Sequence, residues 1–493
     1  MQVHSLCGTW EVLPLPLSGP DEQGESRTLI VHGGRKSDDG IVPEKPLNKE
    51  RINSAEMVEG RPSTKGNNQP LTAVRTQSRE PASLGLLGVR RAAQRDKELK
   101  FTALLHHVTV ELLRASFYAL EREAAVGIDG MGWHEYEVGL MERLGELHTR
   151  VHQGRYRAKP SRRVYIPKPD GTRRPLGIQC LEDKIVQQAV ATVLNAIYET
   201  DFKGFSYGFR PGRSAHDALD ALSVALIKRK VNWVLDADIQ SFYDTLDHQW
   251  MMQFLKHRIV DKRLLRLIKK WLEAGVSEEG KVVKLKIGVP QGAVISPILS
   301  NIYLHYVFDL WSQAWRGRVA SGEVIMLRYA DDTALGFQHR DEASRFLEDF
   351  KHRLSKFGLT LHPDKTRLFE FGRFADENRR RRGKGKPETF DFLGLTHICS
   401  RRHRDGRFTV KRRTVKKRFR KRLQAIKQTL LRYRHAPIPR MGAWLNRVLQ
   451  GHYNYYAVPG NLPSLKSFCN QVTRYWLSAL RRRSQRHRMT WLR

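Results

Sequence analysis

The chain has 493 residues, with 87 Lys plus Arg against 51 Asp plus Glu, a net charge of +36. That length exceeds one ordinary domain, and so positive a field calls for a polyanionic partner, either nucleic acid or an anionic membrane surface. No run reaches the roughly 18 to 20 apolar residues that span a bilayer, and the start, "MQVHSLCGTWEVLPLPLSG", lacks the basic and apolar regions of a signal peptide. A soluble nucleic-acid-binding protein without membrane contact is therefore expected. Cys7, Cys180, Cys399 and Cys469 are too scattered for a disulfide framework or a structural zinc site, which suits a reducing cytoplasm.

Residues 1–95 mix Pro, Gly, Ser, Asn, Gln and charges without periodicity, and read as a disordered extension that orders on a partner. The globular part is expected to start at 96, with Leu105, Val108, Leu112, Leu113, Phe117 and Leu120 at helical spacing until Gly127 stops the run. "RRVYIPKPDGTRRPLGI" predicts a β-hairpin around Pro-Asp-Gly with a basic loop. "LEDKIVQQAVATVLNAIY" predicts a helix, and "VNWVLDADIQSFYD" a strand after a Gly and aromatic loop, "FKGFSYGFRPGRSAHDAL". Two helices, "WMMQFLKHRI" and "RLLRLIKKWLEAG", precede the loop and helix of "KIGVPQGAVISPILSNIYLHYVF". "VIMLRYADDTALGF" predicts a second hairpin, with Asp331 and Asp332 at its tip, and Phe346, Phe350, Leu354 and Phe357 mark an amphipathic helix.

Alternating strands and helices with hairpins imply an α+β core. From about 400 the chain turns basic and helical, with Val415, Phe419, Leu423, Ile426 and Leu430 forming one apolar stripe. Between 401 and 422 there are 13 Lys plus Arg against the single Asp405. Solvated faces usually mix both signs, so one-signed density points to phosphate contact through Arg412, Arg413, Lys416, Lys417, Arg420 and Lys421.

Two adjacent carboxylates repel each other and suit a strand poorly. An isolated Asp pair is an ordinary solvated turn, but Asp236 and Asp238 fall on one face of the neighbouring predicted strand by its period of two. Carboxylates in strand-like runs need a partner, and Mg²⁺ supplies one because it takes hard oxygen ligands and keeps sites for water and phosphate. Carboxylates from two strands can hold two such ions roughly 3.5 to 4 Å apart for an in-line phosphoryl displacement. Asp331 is the candidate primary ligand, since successive strand side chains cannot be equivalent unless the turn rotates one of them.

"IPKPDGTRRPLGI" at 166–178, "LDADIQSFYD" at 235–244, "GVPQGAVISPILSN" at 288–301 and "YADD" at 329–332 stand in an order that resembles reverse transcriptases. Together with "GFSYGFRPGRSAHDAL", "GLTLHPDKTRLFEFG" and "FDFLGL", they resemble the reverse transcriptase and maturase proteins encoded by bacterial group II introns, over roughly 96–493. The resemblance implies a right-hand polymerase: fingers helices at 96–155, fingers and palm at 156–396, and a basic, all-helical thumb or maturase domain at 397–493. It implies that Asp238, Asp331 and Asp332 are catalytic ligands of two Mg²⁺ ions, with Mn²⁺ able to substitute and Asp236 as the structural alternative.

By the same resemblance, Lys168 and Arg174 grip the incoming triphosphate. Phe242, with Tyr243 able to share the role, gates against a 2'-hydroxyl; a palm-core aromatic is the alternative. Gln291 and Gly292 form the nucleotide-pocket turn, and Lys365 lies near the active site. Gln179, Gln240 and Tyr243 depart from the usual family residues. The implied partners are intron RNA, an RNA template with DNA primer, target DNA and deoxynucleotides, in a bacterial cytoplasm. The expected function is RNA-directed DNA synthesis in retromobility together with help in splicing; a splicing maturase without chemistry and a reverse transcriptase domesticated for defence or repair are the alternatives. The His and Asn endonuclease with cysteine pairs that many relatives append is not expected here, and nothing in these patterns sets an oligomeric state.

Overall fold

The computed structural model describes residues 80–483, apart from 168–172, 279, 284–286 and 403. These divide into two compact units, with the chain passing from one to the other at Phe369/Glu370. The reading of residues 1–79 lies outside the described residues. Residues 80–95 do not follow it: Glu80–Arg95 is a helix that buries Val89 and Ala93. Its end is tied down by Arg258, which donates to the carbonyls of Ala93, at 3.4 Å, and of Lys97 while pairing with Asp201 at 3.2 Å. Such long-range ties have no local signature, so composition alone places the start of order too late.

The helix Val110–Ala119 is capped by Thr109, whose hydroxyl accepts from the Leu112 amide at 3.2 Å, and it ends well before Gly127. Gly127 has a different task, since a Cβ there would lie 2.6 Å from Cys180 Cα. Strands β1 (Ser161–Pro167) and β2 (Arg173–Ile178) form the expected hairpin, with Arg162 opposite Ile178 and Pro167 opposite Arg173. The helix Leu181–Tyr198 follows within the predicted bounds and is buried on most of its circumference, as befits a central pillar.

β3 (Trp233–Asp238) precedes a short helix, Phe242–Thr245, and the helices His248–Lys256 and Lys262–Glu273. β4 (Val276–Glu278) and β5 (Lys281–Val283) then join the first hairpin in a sheet ordered β2-β1-β4-β5. The helix Ser296–Leu304 runs through a π-helical turn, His305–Asp309, into the helix Leu310–Arg318. β6 (Val324–Tyr329), β7 (Asp332–Phe337) and β8 (Arg367–Glu370) complete a second sheet, ordered β6-β7-β3-β8. The predicted amphipathic helix is Arg340–Ser355, and Phe346 and Phe350 pack with Trp311, Trp315 and Phe337 beside that sheet.

The second unit begins earlier than the expected boundary of 397, and it is not helical throughout. β9 (Phe390–Phe392), β10 (Leu395–Arg401) and β11 (Phe408–Thr414) form a sheet ordered β11-β10-β9. The basic run therefore includes strand β11 and is helix only from Lys416, where Lys416–Arg432, Ile438–Tyr456 and Leu462–Arg481 pack around Leu423, Ile426, Leu430, Leu445, Phe468 and Val472. Tyr453, Tyr475 and Trp476 pack against this core.

Both units contain a buried imidazole. Burial, then nearby cationic side chains, pushes His305 down to about 3, and burial followed by the Arg412 charge does the same to His397. The unfolded chain binds these protons below the ordinary value of 6.5 whereas the folded chain does not, so stability is fully present above 6.5 and is lost as pH falls toward 3. Chemical denaturation across that window should show a slope of about 1.4 kcal/mol per pH unit for each histidine. His305→Gln should flatten the slope of the first unit; an unchanged slope would refute the assignment.

Candidate active site

Antiparallel pairing of β3 with β7 sets Asp238 directly opposite Asp332, and pairing of β6 with β7 sets Tyr329 on the other side of Asp332. The hairpin loop is Ala330–Asp331, so Asp332 opens the strand rather than sitting at the tip. Ala330 has φ +57, a left-handed turn that releases Asp331 from the strict alternation of strand side chains. Gln240 N donates to Thr360 O at 2.9 Å and His362 N to Asp238 O at 2.8 Å, which draws the 360–365 loop to the end of β3. Lys365 Nζ then donates to Asp238 Oδ2 at 2.8 Å. Arg367 lies 4.0 Å from Asp236, whose carboxylate thus has its own cation.

Among the described residues, no three carboxylate, imidazole or thiol groups already converge as a ligand set. The donor chemistry of Asp238, Asp331 and Asp332 nevertheless suits a hard dication, and the ammonium on Asp238 shows that this position draws a cation.

The turn is braced from beneath by a residue that motif reading passed over. Arg328 is fully buried; it donates to Asp309 Oδ1 at 2.7 Å and Oδ2 at 2.6 Å, to Asn301 Oδ1 at 2.9 Å, and to the Ala330 carbonyl at 3.0 Å. A charge in the middle of the apolar strand "VIMLRY" was the available signal. The "GFSYGFRPG" loop braces the other side. Tyr207 N donates to Arg328 O at 2.8 Å, Arg328 N to Phe205 O at 2.9 Å, and Asn301 Nδ2 to Gly208 O at 2.7 Å. Gly208 is needed for this approach, since a Cβ would stand 2.3 Å from Ala330 N.

Phe242 and Tyr243 lie on the short helix rather than on a strand. Phe242 is buried, edge-on to Tyr303 with ring centroids 6.5 Å apart, so it takes the palm-core alternative, whereas Tyr243 stays half-buried. The Tyr243 carbonyl accepts from Val289 N at 2.8 Å, and Gln291 O accepts from Gly177 N at 2.7 Å, so the 288–293 loop links the short helix to β2. Gly292 has φ +101, and a Cβ there would meet Gly177 O at 3.2 Å. Arg174 stands on β2 opposite Ile166, and Lys168 lies outside the described residues.

In the second unit, Lys416, Lys417, Arg420 and Lys421 are exposed along one helix, and Arg413 is half-buried on β11. Arg412 departs from the expected phosphate contact: it is buried, on β11 opposite His397.

A four-stranded sheet in which antiparallel β3 and β7 set Asp238 opposite Asp332, with a lysine on Asp238, fits the carboxylate site of a nucleotidyltransferase. Residues 166–397 match the family described as Reverse transcriptase (RNA-dependent DNA polymerase). Protein YkfC of Escherichia coli is 34% identical over 314 residues, covering 56% of this chain and 81% of that protein. The group II intron-encoded protein LtrA of Lactococcus lactis is 39% identical over 168 residues, 33% of this chain and 27% of LtrA. An uncharacterized 91 kDa protein in the cob intron of Schizosaccharomyces pombe is 42% identical over 223 residues, 44% of this chain and 27% of that protein. The chain belongs to the reverse transcriptase family, among the group II intron-encoded reverse transcriptases and maturases. Among the described residues no helix is long and apolar enough to cross a membrane.

Proposed function

We propose that the chain is a Mg²⁺-dependent RNA-directed DNA polymerase that extends a DNA primer on intron RNA with deoxynucleotides during retromobility, and that it also binds the intron RNA to assist splicing. The observation that carries the polymerase reading is the facing of Asp238 and Asp332 across paired strands, with Asp331 in the adjoining turn. Asp238, Asp331 and Asp332 would hold the metal ions, which when bound neutralise charge on the attacking and leaving oxygens. Lys365 orients Asp238 through its hydrogen bond to Oδ2. Lys168 and Arg174 grip the triphosphate, the Gln291 and Gly292 turn shapes the base and sugar pocket, and Tyr243 bars a 2'-hydroxyl, with Phe242 packed behind it. A primer 3'-hydroxyl then attacks the α-phosphate and pyrophosphate leaves, with DNA targets of the intron as acceptors.

The test is extension of a DNA primer on an RNA template, with Mg²⁺ and with a chelator. Failure of the unmodified chain to extend with Mg²⁺ present, or equal extension with chelator, would overturn the reading. The retained aspartate trio argues against a binding-only maturase, and the family match to intron-encoded proteins argues against a domesticated enzyme.

Intron RNA binding is assigned to the exposed face of Lys416–Arg432. Neutralising Lys416, Lys417, Arg420 and Lys421 together should weaken RNA binding and make the slope of log affinity against log salt shallower by about 3, the release expected from four single-strand phosphates. An unaltered slope in a filter-binding titration would remove this helix from the interface.

A further inference from the structure

We infer that Phe209 is a primer-end contact, an exposed aromatic shelf beside Tyr329 on which the last paired nucleotide of the primer rests while its 3'-hydroxyl faces the Asp331 and Asp332 turn. The inference rests on the polymerase reading of the same site and adds a binding residue to it.

Phe209 is 54% exposed, in a loop whose neighbours Phe205 and Tyr207 are buried. Its φ of +57 lies in the left-handed region, where a bulky side chain is an outlier and where glycine would be the unstrained choice. The loop cannot relax by swinging inward. On one side Gly208 lies against Ala330, where even a Cβ would clash at 2.3 Å. On the other, buried Arg210 donates to Glu199 at 3.0 Å, Ser206 O at 2.6 Å and Lys203 O at 2.8 Å, and Arg213 donates to Gly204 O at 2.6 Å while lying over the Tyr207 ring. The backbone is therefore pinned, and the phenyl ring is held out into solvent.

The position of that ring selects its occupant. Its centroid is 6.4 Å from that of Tyr329, tilted by 45°, and Tyr329 immediately precedes the Ala330–Asp331 turn. The two rings lie side by side at the β6 edge of the sheet, where Ser206 pairs with Arg328. The candidate nucleotide pocket, by contrast, follows β3 and is closed by the 288–293 loop. With the incoming nucleotide on the β3 side, the carboxylates can receive a 3'-hydroxyl from the β6 side. Contact with an aromatic face tolerates every base, which suits a site that must accept each newly added primer end.

The experiment compares the full chain with Phe209→Ala, Phe209→Trp and Phe209→Gly, using an RNA template and a DNA primer carrying 2-aminopurine at its 3' end. Phe209→Ala and Phe209→Gly should each raise KM for primer–template by about tenfold or more, the effect of one lost base contact, with KM for deoxynucleotide unchanged. Phe209→Trp should stay close to the unmodified chain. The 2-aminopurine emission of the complex without nucleotide should rise on loss of the ring and return with tryptophan. A primer–template KM and emission unmoved by Phe209→Ala would overturn the inference alone, as would a change confined to the nucleotide KM. Normal behaviour of Phe209→Gly beside a defective Phe209→Ala would assign the effect to backbone strain and overturn it too. Absence of extension by the unmodified chain would instead overturn the polymerase reading, and this contact with it.

Discussion

Replacing Arg328 with methionine should destabilise the first unit by about 3 to 5 kcal/mol and abolish primer extension. The side chain is fully buried and its fork meets both oxygens of Asp309, itself fully buried, at 2.7 and 2.6 Å. Breaking such a pair from one side leaves a carboxylate in a low-dielectric interior without its counter-charge. His305 lies 3.9 Å from Asp309, but burial, the largest influence on it, and the Lys203 and Arg210 charges that remain in the variant all oppose its protonation. The double variant Arg328→Met with Asp309→Leu should recover most of the stability in urea denaturation, since replacing both charges by apolar groups of similar volume is often neutral. It should not recover activity, because the Ala330 carbonyl and Asn301 still lose their donor, and the turn bearing Asp331 loses its anchor. Full activity in the double variant would show that the pair serves the fold and not the turn; a loss below about 1 kcal/mol in the single variant, the range of exposed pairs, would refute the burial argument.

The same region shows which parts of the architecture local pattern can carry. Period-two spacing located β3 and set Asp236 and Asp238 on one face, and four-residue spacing located Leu181–Tyr198 and Arg340–Ser355, because in each the side-chain repeat is the secondary structure. Pattern failed where long-range contacts decide. Glu80–Arg95 is ordered through Arg258, far along the chain, and composition cannot see that tie. The basic run through Thr414 read as part of a basic helical region in phosphate contact, yet β11 alternates, turning Val410, Arg412 and Thr414 inward and placing Arg412 opposite His397. Phe242 read as a strand aromatic, but Ser241 takes φ +47 and turns the chain into a short helix that buries the ring. The motif "GFSYGFRPG" was legible as a loop; its task of bracing the catalytic turn depends on Gly208 approaching Ala330, a contact between segments more than a hundred residues apart.

Asp331→Asn should lower the rate of primer extension by about a thousandfold, about 4 kcal/mol of transition-state stabilisation, while leaving the urea midpoint within experimental scatter. The amide keeps the size of the carboxylate, and the turn's φ of +57 falls on Ala330, so the substitution removes charge without recasting the backbone. Asp236→Asn provides the contrast: its carboxylate lies on the same strand but faces Arg367 at 4.0 Å, so it should cost no more than about tenfold if it is structural. Lys365→Met tests the remaining link, since Asp238 Oδ2 would lose the ammonium at 2.8 Å that orients it. That variant should reduce activity less than Asp331→Asn, because all three proposed carboxylate ligands remain and only Asp238 loses a contact, and should raise the Mg²⁺ concentration needed for half-maximal rate. Single-nucleotide addition at saturating primer–template, titrated with Mg²⁺, reads all three. If Asp236→Asn proved as damaging as Asp331→Asn, the metal-binding face of β3 would have to be reassigned to include Asp236; if Asp331→Asn kept normal turnover, the turn would lose its claim to the chemistry.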